Sequence, residues 1–282
     1  MVSIFTALKE GTSFLRNRNI DTPRLDAEVI MAHILNCSRL HLITDGERAL
    51  SDDEYAKFLD HIGKRAHGMP VAYITGYKEF MGLKFSTGKG VLIPRCDTEI
   101  VAECAIDICK RIEGPIYVCD VCCGSGAIGI SIAKYVERAF VTMIDVSKAA
   151  ADAARENAAL NGVGDRAYVI QGDLLSPVAG RKFDIIVSNP PYIKSADIKF
   201  LPVDVKDYEP LLALNGGADG LEFYRRLCSV SLECLKADGN IIFEIGYNQN
   251  KDVKDIMEKN GFSDIEIYRD LAGRYRCIKG VK

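Results

Sequence analysis

From about residue 100 onward, short apolar runs alternate with helix-patterned segments. The runs are IYVCDV (116–121), FVTMID (140–145), AYVIQ (167–171), FDIIVS (183–188) and NIIFEIG (240–246). Each is nearly continuous in apolar residues, as expected of strands covered on both faces. Helical patterns fall between them at 126–137, 147–161, 220–236 and 249–260, and Gly162 and Gly261 follow two of these as C-cap residues. Few folds accommodate such an alternation. It predicts an α/β domain with a mostly parallel sheet, where ligands bind beyond the carboxyl ends of the strands. The residues that follow each strand are therefore where function is read.

The chain before residue 75 reads as a small helical bundle. Ile4, Leu8, Phe14 and Leu15 give a loose apolar face. Asp21-Thr22-Pro23 offers an N-cap and a first-turn proline ahead of a stripe at Leu25, Val29, Ile30, Ile34 and Leu35. Ser51 and Glu54 have capping-box spacing ahead of Tyr55, Phe58, Leu59 and Ile62. The charges here are nearly balanced, which suits a structural or protein-docking module better than a nucleic-acid clamp. All four histidines (His33, His41, His61 and His67) lie in this region and read as surface or core residues. Over 73–94, aromatic and branched residues mix with glycines at 76, 82, 88 and 90, the grammar of a hairpin. The expected division is a helical bundle over 1–75, a β-hairpin linker over 76–99 and the α/β domain over 100–282.

Bulk properties narrow the partners. The 282 residues are 48% hydrophobic and 27% charged, with net charge -3 and a pI near 5.9. A general nucleic-acid binder is usually basic, so no direct nucleic-acid contact is expected. No run of 18 apolar residues occurs, and MVSIFTALKEG lacks the pattern of a secretory signal. Arg16 and Arg18 are flanked by Glu10, Asp21 and Asp26, unlike a transit peptide. These features predict a cytoplasmic chain without membrane association. Among ten cysteines, Cys119 and Cys122 have C-x-x-C spacing, but no second pair follows and no histidine lies beyond His67. No metal site is expected, and the thiols read as buried, reduced side chains.

After the first strand come Cys122, Cys123, Gly124, Ser125 and Gly126, with Gly129 completing G-x-G-x-x-G at the start of a helix. This marks a nucleotide-type site without specifying the cofactor; an NAD-binding domain would show the same glycines. The second strand ends at Asp145, about 20 residues on, where an acid either binds ribose hydroxyls or caps the following helix. The third ends at Asp173-Leu174, which either borders an adenine, by accepting from its amine and packing on its ring, or forms an ordinary turn. The fourth ends in Asn189-Pro190-Pro191-Tyr192. One reading is a rigid turn in which Asn189 caps backbone. The other is chemical. The prolines stiffen the loop, so the Asn189 side-chain oxygen and the Pro190 carbonyl become two fixed acceptors for the hydrogens of a planar NH2 group, with Tyr192 against its plane. Two acceptors raise electron density on a delocalised, weakly nucleophilic nitrogen and aim it. The matching electrophile is a methyl group on a sulfonium, as in S-adenosylmethionine, brought to about 3–3.5 Å of the nitrogen.

Several longer stretches extend this reading. TPRLDAEVIMAHIL, PVAYITGYKEFMGLKFSTGKGVLIPRCDTE, VCCGSGAIGI, SNPPYI, YEPLLALNGGADGLEFYRRL and FEIGYNQ resemble, in that order, the glutamine-N5 methyltransferases of peptide chain release factors, the PrmC/HemK family. The resemblance covers nearly the whole chain. It implies a Rossmann-like methyltransferase domain with a mostly parallel seven-stranded sheet, a small N-terminal helical bundle joined by a β-hairpin, and S-adenosylmethionine as cofactor. It also implies class I release factors as protein substrates, methylated on the glutamine of a Gly-Gly-Gln loop. Carried over by position, Cys122, Cys123, Gly124, Ser125, Gly126, Asp145, Asp173, Leu174 and Asn189 contact the cofactor. Asn189, Pro190, Pro191 and Tyr192 hold the glutamine amide, with Asn189, Pro190 and Tyr192 as the catalytic set. The chain departs from the family at Cys122 and Cys123, where glycine and threonine are usual. It departs also at Cys96 for a proline, Leu174 for an aromatic and Met81 for a tryptophan. Arg95, Thr98 and Glu99 fall in a family-like segment, with Arg95 open between a ligand contact and an internal ion pair. The competing readings are a nucleic-acid amino-methyltransferase (adenine N6 or guanine N2), an NAD oxidoreductase, and a binding module without turnover.

Overall fold

The computed structural model describes residues 2–282. Among them the chain forms two compact units. One runs to Gly76 and takes in Pro202–Tyr208; the other comprises Tyr77–Leu201 and Glu209–Lys282.

The helical unit contains α1 (Ile4–Arg16), α2 (Pro23–Ile34), α3 (Arg39–Thr44), α4 (Asp52–Ala66) and α5 (Val71–Thr75). Ile4, Ala7 and Leu15 of α1 bury against Ala27, Ile30 and Met31 of α2 and Phe58 and Ile62 of α4. The apolar stripe of α2 is thus rotated from the one expected: Leu25 is 42% exposed, and Phe14 of α1 is 44% exposed. The small Ala27 lets the two helices approach, a contact that a search for large apolar residues passes over. Thr22 caps no backbone group; its hydroxyl donates to Asp26. Asp26 in turn accepts from buried Arg65 at 2.7 Å, tying α2 to α4. The expected capping box is present: Ser51 Oγ accepts from the Glu54 amide at 3.2 Å, and Glu54 accepts from the Ser51 amide at 2.9 Å.

The larger unit opens with the hairpin β1 (Tyr77–Phe80) and β2 (Leu83–Ser86), followed by α6 (Glu99–Arg111). Asn157 holds the hairpin by accepting from the Ser86 amide and donating to its carbonyl. Then come β3 (Ile116–Val121), α7 (Ala127–Tyr135), β4 (Ala139–Asp145), α8 (Lys148–Leu160), β5 (Ala167–Gln171) and β6 (Phe183–Ser188). The next helix, α9 (Val203–Lys206), belongs to the helical unit, where Asp204 lies 3.7 Å from Arg65 and the Tyr208 hydroxyl donates to the His67 carbonyl. The 100–282 block is therefore interrupted once. The unit resumes with α10 (Leu211–Leu214), α11 (Glu222–Cys234), β7 (Leu235–Glu244), α12 (Asn250–Lys259), β8 (Ser263–Arg269) and β9 (Tyr275–Val281).

The seven strands lie in the order β5-β4-β3-β6-β7-β9-β8. The five apolar runs are the parallel strands, and β9 is antiparallel to both β7 and β8. Side chains alternate between two cores, as period two requires. Val118, Val141, Ile185 and Ile242 face α6 and α7, while Cys119, Val121, Ile186 and Phe243 face α11 and α12. The winding runs outward from β3 to β5, then returns to the other side of β3 at β6. That reversal opens a crevice at the carboxyl ends of β3 and β6.

Replacing Ser51 with alanine removes a side-chain acceptor from the first turn of α4. The helical unit is expected to lose about 1 kcal/mol, read as a lower denaturant midpoint by far-UV circular dichroism. An unchanged midpoint would show that water satisfies that turn equally well.

Candidate functional site

Parallel pairing sets Val121 against Ser188, and Ser188 against Phe243. The loops leaving β3, β6 and β7 therefore start side by side. Ser188 adds a buried hydrogen bond, donating to the Val121 carbonyl at 2.6 Å.

The β3 loop turns through three positive-φ residues, Cys122 (φ 59), Gly124 (φ 55) and Gly126 (φ 81). At Gly126 a Cβ would also meet Ile130 at 2.8 Å, and at Gly129 one would meet Met143 and the Asp120 carboxyl within 2.9 Å. These two glycines seat α7 directly on the sheet, a packing role as much as a ligand role. Asp120, fully buried, accepts from the Gly129 amide at 2.8 Å, and its other oxygen has no partner. Burial pushes its pKa up to about 7.

Asp145 follows β4. One carboxyl oxygen accepts from the Gly124 amide and the other from the Ser147 amide, both at 2.9 Å. Ser147, not Asp145, caps α8, accepting from the Ala150 amide. Desolvation raises the Asp145 pKa, and those amides oppose it. A carboxylate has about four lone-pair sites, so two remain for a diol after both amides are served. Past β5, Leu174 is buried with φ 49, and Asp173 pairs with Arg226 at 2.6 Å through one oxygen, leaving the other.

Beyond β6, Asn189 donates its amide Nδ2 to Thr98 Oγ1 at 3.3 Å. The corner is braced from below: Gln249 donates to the carbonyls of Tyr192 and Gly220 and accepts from the Gly246 amide. Tyr192 is half-buried at this corner. Its hydroxyl turns inward and donates to Glu244 at 3.1 Å, and burial raises its pKa far above the phenol range. The reason is Glu244 itself, a fully desolvated acid at the end of β7 that draws the nearest donor. Arg95 forms the ion pair: it binds Glu209, whose side chain is 1% exposed. Glu99 accepts from the Met81 amide at 2.8 Å.

These segments line a cleft whose empty space, open solvent included, is roughly 700 Å³. Of the sequence-predicted residues, Cys122, Gly124, Asp145, Asp173, Leu174, Asn189 and Pro191 line it. Cys123, Ser125, Gly126 and Pro190 are buried and do not line it. The cleft also uses Gly90, Leu92, Leu212 and Phe223, which the sequence reading did not select. Glu244 and Gln249 were missed too; the signal was a charged residue inside the apolar run NIIFEIG. Among the described residues no group of three or more histidine, cysteine, aspartate or glutamate side chains could hold a metal, and no helix is long and apolar enough to cross a membrane.

A glycine-rich turn, an acid after the second strand, and an Asn-Pro-Pro-Tyr corner on this sheet order define an S-adenosylmethionine-dependent methyltransferase. The fold matches that of a methyltransferase from Pyrococcus furiosus, with a TM-score of 0.53 at 18% identity over 82% of this chain and 99% of that one. Residues 6–76 match the family described as the PrmC N-terminal domain, and residues 110–202 the methyltransferase small domain. Release factor glutamine methyltransferases of Clostridium acetobutylicum and Clostridium botulinum are 42% and 40% identical. The first alignment spans 100% of this chain and 99% of its relative, the second 98% of each. The chain belongs to the release factor glutamine methyltransferase family.

Asp120 supplies a pH test of the loop. With a raised folded pKa, the native state holds a proton that the unfolded chain has released at pH values between about 4 and about 7. Stability therefore declines as pH rises through that window. Thermal melts of wild type and Asp120→Asn should show wild type losing ground to the variant from about pH 4 to about pH 7 and none beyond. A constant difference would mean that Asp120 ionises as an ordinary acid.

Proposed function

We propose that this chain transfers a methyl group from S-adenosylmethionine to the side-chain amide nitrogen (N5) of the glutamine in the Gly-Gly-Gln motif of class I peptide chain release factors. The full-length relatives named release factor glutamine methyltransferase support the substrate class. The observation that carries the chemistry is the Asn189 amide: Nδ2 is spent on Thr98, which leaves Oδ1 for the cleft.

The residues present fit the cofactor. Asp145 keeps acceptor capacity for a ribose diol, Asp173 and Leu174 border the adenine position, and the Cys122–Gly126 turn offers backbone groups to the amino-acid end. Bound there, S-adenosylmethionine supplies an electrophilic methyl group on a sulfonium. The chain's part is to prepare the nitrogen. Asn189 Oδ1 and the Pro190 carbonyl accept its two hydrogens, which raises electron density on nitrogen and holds its face toward the cofactor half of the cleft. Glycines beside the target glutamine fit a narrow entry that larger neighbours would block. The product nitrogen loses its proton to water, so no side-chain base is assigned. In this reading the helical unit docks the release factor, and the enzyme works in the cytoplasm, where release factors act.

Asn189→Ala should bind S-adenosylhomocysteine as wild type does in calorimetry and lose about 100-fold or more in turnover. Normal methylation by that variant would remove the amide clamp. Asp145→Asn should instead weaken the same ligand about tenfold, or about 1.4 kcal/mol. Incubating wild type with labelled cofactor and a release factor, then mapping label by mass spectrometry, tests the substrate. A single added methyl on the Gly-Gly-Gln glutamine is expected; label in nucleic acid, or none, would overturn the assignment.

A further inference from the structure

The Asn-Pro-Pro-Tyr corner is stiff along its length but not at its ends. Proline fixes φ at Pro190 and Pro191, and a following proline confines Asn189 and Pro190 to extended backbone. Those restraints make a short rod. They leave free the torsions at its base, where Ser188 leaves β6, and those at Pro191 and Tyr192 beyond it. A rod held at one end swings, and an acceptor along it swings too. The β6 end is anchored by the sheet and by the Ser188 hydroxyl. The far end needs an anchor of its own.

That anchor is one buried side chain. Gln249, 6% exposed, stands immediately before α12. Its Nε2 donates to the Tyr192 carbonyl at 3.0 Å and to the Gly220 carbonyl at 3.1 Å, and its Oε1 accepts from the Gly246 amide at 3.0 Å. Carbonyls only accept and a backbone amide only donates, so all three partners impose the same orientation on the Gln249 amide. The loop after α10 closes on the same place. The Ile193 amide donates to the Leu214 carbonyl at 3.0 Å, and the Gly216 amide donates to the Ile193 carbonyl at 2.8 Å, within a short parallel bridge between Ile193 and Asn215. Glycine permits these approaches. A Cβ on Gly216 would meet the Pro191 carbonyl oxygen and Tyr192 Cα at 2.7 Å. One on Gly220 (φ 76) would meet the Tyr192 carbonyl oxygen at 2.5 Å, and one on Gly246 would meet Gln249 Oε1 at 2.8 Å. Two glycine-bearing loops and the corner thus converge on a single amide.

We propose that Gln249 is a positioning residue for methyl transfer: it pins the Tyr192 end of the corner and so fixes where Asn189 and the Pro190 carbonyl stand. Gln249 is not among the residues that line the cleft, so it acts through the corner rather than on a ligand. The proposal rests on the amide-clamp reading above and adds what holds that clamp still. It also gives a use to NGGADG (215–220), whose Gly216 and Gly220 let the loop lie directly against the corner.

Gln249→Met keeps length and burial while removing both donors and the acceptor. On release factor it should lower kcat about 10- to 100-fold, with KM and S-adenosylhomocysteine affinity within about twofold of wild type. Gln249→Glu is nearly isosteric, keeps the acceptor and offers at most one donor, so it should show the same split and serves if Gln249→Met does not fold. Wild-type kcat in either folded variant overturns the proposal: Gln249 then serves stability alone, and the Tyr192 hydroxyl contact with Glu244 suffices to hold the corner. An affinity loss as large as the kcat loss also overturns it, because the cleft as a whole has then loosened. Amide hydrogen exchange reads the pinning without any substrate. In the variants the Ile193 and Gly216 amides should exchange about tenfold faster than in wild type, while the β6 amides keep their rates. Unchanged exchange at Ile193 and Gly216 overturns the proposal. Should wild type leave release factor unmethylated, the substrate assignment falls while the exchange measurement still decides the pinning.

Discussion

The register between β3 and β6 is the constraint on which the site depends. Val121 pairs with Ser188, and the Ser188 hydroxyl closes on the Val121 carbonyl within the buried sheet. A slip of one residue would turn Ile185 and Val187 into the opposite core and carry Asn189 to the other face. With the register set, two loops of opposite character leave the sheet as neighbours. One is a glycine turn that lies low over α7; the other is a stiff proline corner. Neither alone makes a cleft. Their adjacency follows from the reversal of winding at β3, a property of topology rather than of either motif.

Much of this was legible in the chain before any coordinates. The five apolar runs became the five parallel strands because strands buried on both faces leave an unbroken apolar trace. The two strands that left none, β8 and β9, form an antiparallel edge; Asp264, Glu266 and Lys279 interrupt their apolar residues, so no run stands out. The first half of β7 was hidden for the same reason, since Lys236, Asp238 and Gly239 precede its apolar core. The places of Asn189, Pro191 and Asp145 on the cleft were readable because each segment follows a strand end directly. Gly90, Leu92, Leu212 and Phe223 were not, because long-range folding brings them to the cleft and no local pattern marks them. The inward turn of Tyr192 was equally hidden. It is set by Glu244, 52 positions away in sequence.

Three acids near the cleft show how environment separates identical groups. Asp145 accepts two backbone amides and lines the cleft, and those amides oppose the desolvation that raises its pKa. Asp120, one layer below, accepts one amide and is pushed toward neutrality by burial; it seats α7 rather than meeting a ligand. Glu244 is as deeply buried, yet it has Arg276, Tyr192 and Thr98 around it. Burial alone would make all three alike. The number and kind of donors each one finds sets them apart.

Among the described residues no histidine lines the cleft, and the reaction proposed above requires none. The four histidines all precede residue 68, and the Tyr192 phenol is held neutral by burial. An amide nitrogen is far too weak an acid in its ground state for a carboxylate to deprotonate usefully. Once alkylated it becomes strongly acidic, and water suffices to remove the proton. The difficult requirement is earlier: two hydrogens must be drawn back and the nitrogen's face held toward the electrophile before any bond forms. In the proposed reaction that is a demand for fixed acceptors of known direction, which a proline-stiffened corner meets by rigidity rather than by proton affinity.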